Sequence, residues 1–242
     1  MPKWIERVVE YDSFGDAPVL IVAPHEGTEL VEVDGASVVV GERGSGELAK
    51  IAAKHVGGSY IVVHVPRFRA DFARSPELLG EGAMFRFNVL GKRHEFTGHK
   101  DTAYKQIMEK FHNLVGEFNP KFLLSFHKML GKDVDIRLGF GLDRKYIGNS
   151  KRALEFRKQV VGDLAVRGHS LEILVSKRAL TGESEYILNR HHKGRLAALV
   201  EFSSSKGFDM NSGHINPGYR EAANLIAEQA LRCLREDKTS PQ

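Results

Sequence analysis

Lys121-Phe-Leu-Leu-Ser-Phe-His127 follows directly on Asn119-Pro120, a pair that stops a helix, and ends its apolar run on a histidine. A short, unbroken apolar run of this kind reads as a strand buried on both faces, the pattern of a parallel sheet covered by helices. Two further runs share its form. Pro18-Val-Leu-Ile-Val-Ala-Pro24 ends on His25, and Leu196-Ala-Ala-Leu-Val200 ends on Glu201. Open α/β sheets bind their ligands beyond the carboxyl ends of the strands. His25, His127 and Glu201 can therefore converge although they are far apart in the chain, and the pattern suggests a metal hydrolase.

Working outward, strands and helices alternate. Ser45 opens a helix that runs to about His55 and closes at Gly57-Gly58, before the strand Tyr60–Val65. From about Asp101 a longer helix places Tyr104, Ile107, Met108, Phe111 and Leu114 on one face. Asn149 or Ser150 can cap a helix reaching Val166, and Leu171–Val175 reads as another strand. Asn216-Pro217 supplies a cap and a first-turn proline for a last helix that buries Leu225, Ile226, Ala230, Cys233 and Leu234. Two stretches read as hairpins: Glu32–Val40 around Asp34-Gly35, and Met84–Phe96 around Gly91. The expected fold is α/β: one domain over residues 1–236 with a mixed, mostly parallel sheet flanked by helices, and a short polar tail at 237–242.

With 42% hydrophobic and 27% charged residues in 242, the composition is that of an ordinary soluble domain with room for a sizeable core. No signal-peptide apolar region opens the sequence, and no stretch reaches the ~18 apolar residues of a membrane span, so the expectation is a cytoplasmic protein without membrane contact. The one cysteine, Cys233, reads as a packed core residue rather than a reactive one. A net charge of +4, with basic residues scattered among acidic ones, does not indicate nucleic-acid binding. The tightest basic cluster, Arg67-Phe-Arg69-Ala-Asp-Phe-Ala-Arg74, interleaves aromatics as a base-stacking strand could. It supports the alternative of a non-catalytic protein that binds nucleic acid or another polyanion.

Catalytic zinc takes about three protein ligands and keeps a position open. Beside His25, either Glu26 or Glu29 could supply a carboxylate, with Gly27 permitting a sharp turn between them. Glu201 ends an apolar run, where burial would raise its proton affinity and suit it to act as a general base near a metal. It could equally be held in a salt bridge to a buried arginine.

The segments Pro24-His25-Glu-Gly27, Arg67-x-x-x-Asp71-x-x-Arg74-Ser-Pro76, Ser125-Phe-His127-Lys-Met129, Asp135-Ile-Arg137-Leu-Gly139 and Val200-Glu201 resemble, in this order, those of the N-formylglutamate amidohydrolase family. That family is similar to zinc carboxypeptidases and aspartoacylases and has a phosphorylase/hydrolase-type sheet. The resemblance implies His25 and His127 as zinc ligands and Glu201 as the residue that activates water. It also implies Arg67 as the group polarising the scissile carbonyl, with Arg74 and Arg137 at the substrate. Related carboxypeptidases place the acidic ligand three residues after the first histidine, where this chain has Thr28; Glu29 is the expected ligand and Glu26 the alternative. Two positions depart from the family pattern: Ala73 stands where an asparagine is usual, and Ser125 where an aspartate is. The implied activity is zinc-dependent hydrolysis of an amide on a small, carboxylate-bearing N-acyl amino acid or peptide. Other divalent ions could occupy the same ligands.

Overall fold

The computed structural model describes residues 8–33, 35–66, 72, 84–89, 92–97, 102–129, 133–140, 151–174, 186–208 and 214–235. Its strands are β1 (Val9–Ser13), β2 (Val19–Ala23), β3 (Thr28–Val33), β4 (Ala36–Gly41), β5 (Ser59–Val63), β6 (Met84–Val89), β7 (Lys92–Thr97), β8 (Phe122–Met129), β9 (Ile136–Gly139), β10 (Leu171–Leu174) and β11 (Leu196–Ser203). The helices are α1 (Ser45–Val56), α2 (Thr102–Phe118), α3 (Lys151–Val166), α4 (Tyr186–His191), α5 (Ser204–Gly207) and α6 (Pro217–Arg235).

Seven strands form one sheet in the order β1-β5-β2-β8-β11-β9-β10. Strands β5, β2, β8 and β11 are mutually parallel, β1 pairs antiparallel to β5, β9 pairs antiparallel to β11, and β10 runs parallel to β9. The expected mixed, mostly parallel sheet is therefore present. Every residue of β2 and β8 is buried, which is why their sequences show continuous apolar runs instead of alternation.

Successive side chains of a strand point to opposite faces, and the core divides accordingly. On one face Ile21, Leu124, Phe126, Val200 and Phe202 pack with apolar residues of α1, α3 and α6. On the other, Leu20, Val22, Leu123, Ala197 and Leu199 pack with Ile107, Met108 and Phe111 of α2 and with Ile187 and Leu188 of α4. Asn216 caps α6 as expected, its Oδ1 accepting the Gly218 N–H at 2.9 Å. Cys233 is buried in that helix and donates to the Arg152 carbonyl. Both hairpins are present as strand pairs, β3–β4 and β6–β7, though Asp34 and Gly91 lie outside the described residues, as does the 237–242 tail. Among the described residues, no helix is long and apolar enough to cross a membrane.

Candidate metal centre

His25 lies just past the carboxyl end of β2, and His127 sits near the carboxyl end of β8. The third member of the group is Glu42. It follows β4, at the other foot of the hairpin that begins three residues after His25. The hairpin register runs from Val33 opposite Ala36 out to Thr28 opposite Gly41, so the chain leaves and returns at the same point. The Glu42 N–H donates to the His25 carbonyl at 3.2 Å. Close packing closes the feet: a Cβ on Gly27 would fall 2.4 Å from the Val65 carbonyl carbon, and one on Gly41 2.2 Å from the Gly27 oxygen.

All three side chains are buried. Glu42 Oε1 is 3.6 Å from His25 Nδ1, and Glu42 Oε2 is 3.3 Å from His127 Nδ1. The Lys128 N–H donates to Glu42 Oε2 at 3.1 Å and fixes the carboxylate. Burial pushes the Glu42 carboxyl up, but His127 and His25 outweigh it and hold the group well below the usual carboxylate range. Ser125 Oγ lies 3.0 Å from His127 Nε2. A bond there leaves Nδ1 to face Glu42, the usual arrangement for a histidine that ligates through one nitrogen and is steadied through the other.

The donor set fits a divalent cation. One donor atom from each residue lies within 4.8 Å of the others. Donors around tetrahedral zinc, each ~2.0–2.2 Å from the ion, stand about 3.4 Å apart, so small adjustments would suffice. Two imidazoles and one carboxylate make a known catalytic zinc set with room for a fourth partner.

Of the acidic residues expected beside His25, neither belongs to the group. Glu29 sits in β3 opposite Val40. Glu26 turns its carboxylate to the start of α1, accepting from Gly44 N at 2.9 Å, Gly46 N at 2.6 Å and Ser45 Oγ at 3.2 Å. The backbone donors and positive end of the helix dipole make this a natural place for a carboxylate. The acidic member is thus Glu42, which sequence proximity to His25 could not indicate. Counting the hairpin register outward from Asp34-Gly35 would have placed it opposite Gly27.

Glu201 is paired in register with His127 across β8 and β11, so the two side chains share a face. Its side chain is 13% exposed, and burial raises its proton affinity against the pull of His127 and Arg137. A salt bridge to an arginine is also present, though the arginine is only partly buried: Arg137 Nη1 donates to Glu201 Oε2 at 3.3 Å. Arg137 lies opposite Glu201 on β9, and Glu172 opposite Arg137 on β10. His127, Glu201, Arg137 and Glu172 therefore form a polar row across four adjacent strands, on the face where α2 packs farther along the sheet.

Arg67 and Arg74 fall outside the described residues. Phe72 between them is fully buried, edge-on to Phe111 at 6.0 Å between ring centroids. A ring in the core cannot stack bases, so this aromatic does not support a nucleic-acid surface.

No protein-family model and no curated protein matches the chain. Solved structures do. N-formylglutamate amidohydrolase from Ralstonia eutropha aligns at 14% identity and TM-score 0.58, over 93% of this chain and 96% of that one. A bacteriophage poly-gamma-glutamate hydrolase aligns at 16% identity and TM-score 0.50, over 92% and 87%. YNDL in its zinc-free form aligns at 16% and 0.50, over 96% and 91%. The chain shares the α/β fold of these proteins over nearly its whole length.

Proposed function

We propose that this protein is a metal-dependent amidohydrolase, most simply a zinc enzyme, that cleaves an amide in a small carboxylate-bearing substrate such as an N-acyl amino acid or short peptide. The observation that carries the reading is the buried His25–Glu42–His127 donor set with Glu201 in register beside His127. The shared fold with an N-formylglutamate amidohydrolase and a poly-gamma-glutamate hydrolase supports it.

His25, Glu42 and His127 would hold the ion. An ion held there would supply Lewis acidity, which lowers the pKa of a water and draws charge from the scissile carbonyl. Glu201 takes the proton from the attacking water and gives it to the departing amine nitrogen as the C–N bond breaks. Its raised proton affinity suits both steps. Arg137 beside it offers donors to a substrate carboxylate. Arg67 and Arg74 keep the roles implied by the sequence resemblance, polarising the carbonyl and gripping a carboxylate.

Metal analysis of protein purified without added metal, paired with hydrolysis of a panel of N-acyl amino acids and short peptides, tests the proposal. The expected result is near one equivalent of metal and turnover abolished by chelation. Metal-free protein that gains no hydrolysis on adding zinc, cobalt or manganese contradicts it.

A further inference from the structure

Arg137 stands between two carboxylates and is not shared equally. Its Nε donates to Glu172 Oε2 at 2.6 Å, a short charge-assisted bond, whereas Nη1 reaches Glu201 Oε2 only at 3.3 Å. Nη2 donates to no described residue. The Arg137 side chain is 19% exposed, and that of Glu172, on the edge strand, is 44% exposed. Glu172 takes no place in the donor set and is too far along the row to meet the scissile bond, since it lies two strand spacings, at about 4.8 Å each, beyond Glu201.

We propose that Glu172 is a positioning residue that sets the substrate preference of this site. By anchoring Nε it holds the guanidinium back from a two-pronged pair with Glu201 and keeps Nη2 available for a carboxylate of the substrate. A guanidinium has a fixed fork of donors. Without the anchor, its nearest anion among the described residues is Glu201, and a pair closed there would occupy both the proton acceptor and the carboxylate-binding edge. One strand spacing separates Arg137 from Glu201, so the group recognised is a carboxylate within a few bonds of the amide under attack. The inference rests on the hydrolytic reading above.

Glu172→Gln keeps the shape and loses the anchoring charge. In metal-loaded protein it should raise KM for a carboxylate-bearing amide about tenfold with a smaller change in kcat. The preference over the matching carboxamide should shrink while thermal stability stays at the parent value, which a merely structural role would not produce. Calorimetric titration with glutarate gives a second readout independent of turnover. Glu172→Gln and Arg137→Ala should each weaken binding, and the double variant should lose no more than Arg137→Ala alone, because Glu172 acts through Arg137.

If the parent hydrolyses amides and Glu172→Gln discriminates carboxylate from carboxamide as well as the parent, the inference fails and the hydrolytic reading stands. If no amide is cleaved but glutarate follows the expected pattern, the hydrolytic reading fails, while Glu172 still stands as the residue that holds Arg137 open to a carboxylate. Glutarate binding that is absent from the parent, or equal in parent and Glu172→Gln, overturns the inference.

Discussion

Gly41→Ala should damage the metal centre without touching any of its side chains. Gly41 has φ +148°, and a Cβ there would fall 2.2 Å from the Gly27 oxygen and 3.0 Å from Thr28 Cα. Both contacts are with backbone, so relief requires the feet of the hairpin to part, and the Glu42–His25 hydrogen bond of 3.2 Å lies at that point. Forced overpacking costs about 1–3 kcal/mol, and an L side chain at positive φ adds roughly 1 kcal/mol. The sum, about 2–4 kcal/mol, corresponds to a Tm lowered by roughly 5–15 °C in a chain of this size. Gly35→Ala is the control: its φ is +78°, but nothing lies within 4 Å of its Cβ, so the cost is only about 1 kcal/mol. Thermal melts with chelator and with excess zinc read both effects, since an ion that binds only the folded state raises Tm. Gly41→Ala should lose most of the zinc-induced rise, and Gly35→Ala should keep it. Parent-like melting and a parent-like zinc response in Gly41→Ala would refute the claim that close packing at the hairpin feet builds the centre.

Glu201→Gln should leave metal content intact and lower turnover ~10²–10⁴-fold. Because burial raises the proton affinity of Glu201, parent activity should climb with pH through a step displaced upward from that of an ordinary glutamate; a profile in which Glu201→Gln keeps both rate and step would remove it from the chemistry. Ser125→Ala should weaken metal binding by roughly 10–100-fold in a competitive chelator titration, the usual effect of losing an outer hydrogen bond to a ligating histidine; unchanged affinity would show the 3.0 Å contact to be idle. On α2 and α4, His112 Nδ1 and His191 Nε2 are 3.0 Å apart, with burial pushing the two pKa values down to about 3 and about 4. The unfolded chain binds protons below about pH 6.5 while the folded pair does not, so stability present at pH 7 should fall on acidification, by up to about 2 kcal/mol per histidine at pH 5. Denaturant midpoints at the two pH values measure this, and His191→Asn should show a shallower loss; an equal loss would mean other groups set the acid sensitivity.

The strands that carry the centre were legible because burial on both faces leaves nearly continuous apolar runs, as at Val19–Ala23 and at Phe122–Phe126, which only Ser125 interrupts. His127 and Glu201 were legible for the same reason, as polar residues ending runs of that kind. The last helix was legible in its Asn216-Pro217 start. Glu42 was not, because a hairpin, and not local spacing, returns the chain to His25. Glu26 looked available in sequence, but the helix start at Gly44–Gly46 takes its carboxylate. The row from Glu201 through Arg137 to Glu172 depends on β9 entering antiparallel between β11 and β10, and the period of side chains along a strand carries no information about its neighbour. Phe72 read as part of an exposed basic stripe because its neighbours are charged; Phe111 of α2 receives it in the core.

The most direct test compares metal content and zinc affinity in the parent, His25→Ala, His127→Ala, Glu42→Gln and Glu29→Gln, each purified and assayed identically. The donor set predicts near-stoichiometric metal in the parent and in Glu29→Gln, with most of it lost from the other three. Full occupancy in Glu42→Gln, or loss in Glu29→Gln with Glu42→Gln unaffected, would contradict it.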